Sequence, residues 1–136
     1  MNRRGRTAAM AAGVVALMGV VSSTSLRAQQ PGFKRVEVQR HDLGTPGREV
    51  VQVRAEFEPG ASIGKHTHPG EEIGYILEGS LRFEMAGQAP VTLKAGDHFM
   101  VPMGKVHSAT AVGTANAKVL ATYIVEKGKP IATPAP

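Results

Sequence analysis

Residues 60–79 read GASIGKHTHPGEEIGYILEG, and residues 96–107 read GDHFMVPMGKVH. The first stretch puts two histidines, His66 and His68, one residue apart. Side chains alternate along an extended chain, so both imidazoles fall on one face if the segment is a strand. Glu72 lies four residues beyond His68, and the intervening Pro69–Gly70 turn can bring it back to the same place. The second stretch supplies His107 from a later strand, after Pro102-Met103-Gly104 turns the chain. A His-x-His pair alone is more often two exposed loop histidines. Three imidazoles and a carboxylate together form a competent ligand set for a divalent transition metal, with positions left open for water or substrate.

The surrounding sequence is that of short strands. Val51, Val53, Ala55 and Phe57 alternate with Gln52, Arg54, Glu56 and Glu58, a period of two. Leu81, Phe83 and Met85 alternate with Arg82 and Glu84 before the turn at Ala86-Gly87-Gln88. Val91 and Leu93 continue the pattern until Ala95-Gly96-Asp97. Further extended runs are expected at residues 33–40, 72–78, 98–101, 107–111 and 118–126. No segment after residue 28 has a convincing amphipathic helical period. Many short strands at regular spacing argue for an all-β sandwich or barrel.

The spacing of the two stretches then identifies the family they resemble. Gly60, five residues, His66-x-His68, three residues, Glu72, six residues and Gly79 resemble the first motif of the cupin superfamily. Gly96, five residues, Pro102-x-Gly104, two residues and His107 resemble the second. The resemblance covers residues 60–111 and implies a single jelly-roll β-barrel with a metal at its mouth. It implies His66, His68, Glu72 and His107 as ligands to one divalent ion, Fe, Mn or Ni first, with Zn or Cu also compatible. Sixteen residues separate the motifs, as in a compact one-barrel, quercetin-dioxygenase-like protein, and no second His-x-His exists for a two-barrel enzyme. One departure stands out: where the second motif commonly ends in Asn, this chain has Ala111.

Other residues compete for roles. Glu71 is the alternative to Glu72, but same-face parity with His66 and His68, and the family spacing, favour Glu72. Glu72 is also a candidate base, and no other catalytic residue is assigned. His98 is expected as a surface or edge-strand histidine and His41 as a loop histidine. Lys65 flanks the ligand pair and is a candidate to attract an anionic substrate. Ile76, Phe83, Met85, Phe99, Met100, Met103 and Tyr123 are expected to fill the barrel or wall a cavity.

Length and charge set the outer limits. The 136 residues include no cysteine, which excludes disulfides and thiolate-ligated metal sites. The net charge of +5 is concentrated at the start. Arg3, Arg4 and Arg6 precede an uncharged stretch, residues 7–26, followed by small residues near Ala28, the pattern of a secretory signal peptide. Removing residues 1–28 takes Lys+Arg from 16 to 12 and leaves Asp+Glu at 11, a net +1. The basic excess therefore reads as an export address to the periplasm or medium rather than a nucleic-acid surface. The expected organisation is a signal peptide over 1–28, a barrel over 29–127, and a loose proline-rich tail over 128–136. The expected partners are a small-molecule substrate and, by resemblance, a second copy in a homodimer, with no nucleic acid and no stable membrane association after cleavage.

Overall fold

The alternation around Val51 becomes the second of ten strands among the described residues. The computed structural model describes residues 30–136, and the expected signal peptide lies outside the described residues. The strands are β1 (Phe33–Asp42), β2 (Arg48–Phe57), β3 (Ser62–Thr67), β4 (Gly70–Glu78), β5 (Ser80–Met85), β6 (Val91–Lys94), β7 (His98–Val101), β8 (His107–Ala111), β9 (Ala117–Glu126) and β10 (Thr133–Pro134). They form two five-stranded sheets, ordered β1-β2-β9-β4-β7 and β10-β3-β8-β5-β6. The fold is an all-β jelly roll in which every neighbouring pair is antiparallel.

The core lies between the sheets. Val51, Val53, Ala55 and Phe57 of β2 are buried beside Ala117, Val119, Ala121, Tyr123 and Val125 of β9. Leu81 and Phe83 of β5, with Ala109 and Ala111 of β8, pack in one cluster with Ala55, Phe57, Ala117 and Val119, while Val51, Val53, Ala121, Tyr123 and Val125 form a second. Each large aliphatic or aromatic side chain removed from water stabilises the fold by about 1.5–3 kcal/mol, so these two inner faces dominate the energetics. Ala111 is one of the core residues. An asparagine there would bring a polar amide into an apolar cluster, so the departure from the motif suits this interior.

Several expectations about filling need correction. Ile76, Phe83 and Tyr123 are buried, and Met85 and Phe99 pack at the margin. Met100 and Met103 are instead about half exposed. Met100 lies on β7 directly opposite Ile73 of β4, itself exposed, on the outer side of the sheet. His41 lies in β1 rather than in a loop, and it is exposed as is His98 at the start of the edge strand β7.

The tail also departs from expectation. Residues 128–136 were expected to lie loose, yet Thr133 and Pro134 pair with Thr67 and His66 of β3. The amide of Ala135 donates to the Lys65 carbonyl at 2.9 Å, and Ile131 packs against the Val51–Tyr123 end of the core. One apolar side chain and a few main-chain hydrogen bonds are enough to tie the segment down.

Two glycines near the site are required by close approach. A Cβ at Gly70 would meet the Ile124 carbonyl oxygen at 2.0 Å, so only glycine lets β4 begin this close to β9. Gly79 ends the first motif at φ 72°, and a Cβ there would lie 2.3 Å from the Asn116 carbonyl oxygen.

Candidate metal centre

The four residues singled out by spacing converge in the interior, and they come from both sheets. His66 sits near the end of β3, His68 just beyond it, and His107 opens β8 as the register partner of His66. Glu72 comes from β4 in the opposite sheet, where it pairs with Tyr123 of β9. All four site residues are at most 6% exposed. Ligand atoms of His66, His68 and His107 lie within 4.8 Å of one another. Glu72 Oε2 is 3.0 Å from His68 Nε2 and 3.1 Å from His107 Nε2.

Strand parity resolves the competition between the glutamates. Gly70, Glu72, Gly74 and Ile76 form the buried face of β4, while Glu71 is on the other face. There its carboxylate accepts a hydrogen bond from Arg48 at 3.0 Å. Lys65 is exposed and is not among the side chains that line the site cavity.

Each imidazole is held from behind by a main-chain carbonyl. A carbonyl can only accept, so Nδ1–H is the donor in all three cases. His66 donates to Gly64 at 2.7 Å, His68 to Ile131 at 2.5 Å, and His107 to Lys105 at 3.0 Å. This fixes the tautomer and turns the unprotonated Nε2 inward. Two such lone pairs, on His68 and His107, then face each other at 3.2 Å with a carboxylate oxygen beside them. A cluster of acceptors this close needs a cation among them, either a proton on one ring or a metal ion. Donors cis to each other on one ion, each about 2.1 Å from it, sit about 3 Å apart. The residues therefore fit a divalent metal in both chemistry and spacing.

The ionisation states agree. Burial, aided by the neighbouring His107 imidazole, pulls His66 down to about 4, so it is neutral near pH 7. Burial alone would raise the Glu72 carboxyl, but in the metal-free cluster a proton on Nε2 of a ring beside it supplies a hydrogen bond and a positive charge that outweigh burial and hold Glu72 at about 2. Burial, with the Glu72 charge adding to it, pushes the Tyr123 hydroxyl well above its ordinary value. Tyr123 therefore stays protonated, with its hydroxyl between the Glu72 carboxylate and the Arg35 guanidinium.

A narrow cavity of about 30 Å³ opens onto His66, Glu72 and His107. Its walls include Phe57, Phe83 and Phe99, and Arg35 of β1 lies among its lining residues. The sequence did not point to Arg35, nor to Ile131 as the support of His68. The latter had one available signal, as Ile131 is the large apolar residue in an otherwise small and polar tail.

The sequence profile of the cupin domain matches residues 53–123, a little over half of the chain. The chain belongs to the cupin family. Among curated relatives, this cupin is 40% identical over 73 residues to the oxalate-binding protein of Thermotoga maritima, covering 53% of this chain and 60% of that one. It is 28% identical over 88 residues to oxalate oxidase 2 of Hordeum vulgare, covering 59% of this chain and 39% of the relative. The match thus spans less than two thirds of either relative. Among solved structures, KdgF from Halomonas sp. superposes with a TM-score of 0.57 at 26% identity, covering 72% of this chain and 84% of that one.

Proposed function

We propose that this cupin is a metal-dependent oxygenase of quercetin-dioxygenase-like type, acting on a small, oxygen-bearing organic substrate. The observation that carries the reading is the inward convergence of three imidazoles, each tied back through Nδ1, with the Glu72 carboxylate against two of them. His66, His68, Glu72 and His107 would hold Fe(II), Mn(II) or Ni(II), and the donor set also suits Zn(II) or Cu(II). Such an ion supplies Lewis-acid polarisation and, where redox-active, electron transfer to oxygen. The chain supplies the rest. Phe57, Phe83 and Phe99 keep water from the cavity, and the Tyr123 hydroxyl flanks Glu72. Glu72 is the one carboxylate lining the cavity, so a proton leaving the substrate would pass to its side-chain oxygen.

The likeness to an oxalate oxidase supports oxygen chemistry. The likeness to an oxalate-binding protein favours a second reading, a binding or sensor protein without turnover; lyase, decarboxylase or isomerase chemistry is the other use of the same ion. Elemental analysis of protein purified without chelator or metal-affinity resin, joined to oxygen-uptake measurements, separates these. About one redox-active ion per chain with oxygen uptake supports the oxygenase. Bound metal with turnover but no oxygen uptake transfers the assignment to Lewis-acid chemistry, and no retained metal overturns the reading.

Export and pairing complete the proposal. The basic and then apolar start of the chain supports delivery to the periplasm or medium, where N-terminal sequencing of the mature protein gives the cleavage point. The ten-residue edge strand β1, with Val38 exposed, and the outer apolar residues Ile73, Tyr75 and Met100 support a homodimer. Light scattering at micromolar concentration reads the mass directly.

A further inference from the structure

The chain has four phenylalanines, and all four line the site cavity, in two pairs. Phe33 of β1 and Phe57 of β2 meet with ring centroids 4.8 Å apart. Phe83 of β5 and Phe99 of β7 stack at 4.6 Å, and Phe83 stands 6.0 Å from the His107 ring. The seat of Phe99 is unlike the others. It stands opposite Gly74 in the β4–β7 register, and a Cβ on Gly74 would lie 2.1 Å from its ring. The ring therefore occupies the space in which any side chain at position 74 would begin. The backbone of Gly74 is not left-handed, so its own conformation does not call for glycine. Glycine inside a strand weakens that strand, and here the bare backbone serves the ring. Glu72 and Gly74 are successive inward positions of β4, about 7 Å apart. Phe99 thus fills the barrel one step along the strand from the carboxylate of the donor cluster.

We propose that Phe99, seated on Gly74, is the size-determining residue of this site, closing the barrel beside the donors to any ligand group as large as an aromatic ring. The inference rests on the metal-site reading above. What stays open is about 30 Å³, room for roughly two water molecules. Leu81, Phe83 and Val119 line the same cavity, so the interior around the ring is apolar and closely packed. Extra atoms enter such an interior only by moving a side chain. Phe57 and Phe83 are buried on strands that have a neighbour on both sides. Phe99 is only partly buried and belongs to the four-residue β7, which has a neighbour on one side only. Its ring can therefore be shortened without cutting into a strand held on both flanks. A polycyclic substrate of the flavonol kind cannot reach the donors while Phe99 keeps its seat. The reaction proposed above then falls on substrates whose metal-facing end carries no ring.

The test uses full-length mature protein loaded with Co(II), titrated with acetohydroxamate and benzohydroxamate. The two probes share one chelating head and differ by a methyl against a phenyl group. Visible absorption of the ion reads binding, and metal content is measured on the same samples. Wild type is expected to bind acetohydroxamate at least roughly 10-fold more tightly than benzohydroxamate. Phe99→Ala should keep its metal and gain roughly 10- to 100-fold for benzohydroxamate, with a much smaller change for acetohydroxamate. Phe99→Leu, which leaves part of the space filled, should gain less. The seat is read separately by urea unfolding. Gly74→Ala should lower the midpoint clearly in the wild-type background and much less in Phe99→Ala, where the ring is gone. Metal-loaded wild type that binds both hydroxamates alike, or neither, overturns the inference. A Phe99→Ala or Phe99→Leu protein with wild-type discrimination overturns it too, as do equal midpoint losses from Gly74→Ala in the two backgrounds. In each of these cases the metal-site reading stands. Wild type that takes up no Co(II) overturns that reading and this inference together.

Discussion

His68 and Ile131, 63 residues apart, are joined by a 2.5 Å hydrogen bond from the imidazole Nδ1–H to the main-chain carbonyl. The tail is thereby part of the metal centre. Deleting residues 128–136 removes the acceptor that fixes the His68 tautomer, together with the pairing to β3. Loss of such an outer partner typically weakens metal binding about 10- to 100-fold. Competition against a chromogenic chelator should read that loss in the truncated protein. Ile131→Ala, which keeps the carbonyl, should retain most of the affinity.

His107 touches both His68 and Glu72, so its removal opens the cluster at its centre. His107→Ala should retain less than a tenth of the wild-type metal, as read by mass spectrometry of the eluted ion. Stripping the ion from wild type should also lower the melting temperature. An ion present at a hundred times its Kd stabilises by about 2.7 kcal/mol, which for a domain of this size is a shift on the order of 10 °C. Calorimetric traces that coincide with and without chelator would contradict a folded-state metal site.

Adjacent glutamates on opposite faces of β4 give a paired control. Glu71→Gln loses only a partly exposed ion pair with Arg48, which contributes less than about 1 kcal/mol. Metal content should be unchanged. Glu72→Gln replaces the anionic donor that balances the charge of the ion, and metal retention should drop at least tenfold. Equal retention in the two variants would show that the wrong glutamate had been assigned.

The metal-free protein should be acid-sensitive in two stages. His66 titrates near 6.5 when unfolded and near 4 when folded, so between these values the unfolded chain holds more protons. Stability therefore falls as the pH drops from 6.5 to 4. Glu72 is lowered to about 2 from an ordinary 4.5; its contribution is present above 4.5 and is lost as the pH falls toward 2. Urea unfolding of chelated protein should give a lower midpoint at pH 5 than at pH 7. His66→Gln should flatten that difference.

Much of this was legible because strand parity and cupin spacing constrain the same residues. The buried alternation of β2 and the shared face of His66 and His68 follow from period two alone. The choice of Glu72 over Glu71 follows from parity as well, and the structure adds the reason, Arg48 holding Glu71 outside. Met100 was misplaced although parity was available, since it alternates with Phe99 and Val101, which turn inward. Sequence could not reveal β10, because two residues paired through main-chain groups leave no side-chain pattern.

The origin of the donors in different strands has a kinetic consequence. His66 and His68 are neighbours in any conformation, but His107 is 39 residues from His68 and meets it only when β8 has zipped against β3. A nascent chain thus offers a weak bidentate site, and the tight one exists only after non-local pairing is complete. An ion held by this set would therefore be taken up at barrel closure, from those then around the protein. The place where the chain folds would then bear, together with the donor set, on which metal it carries.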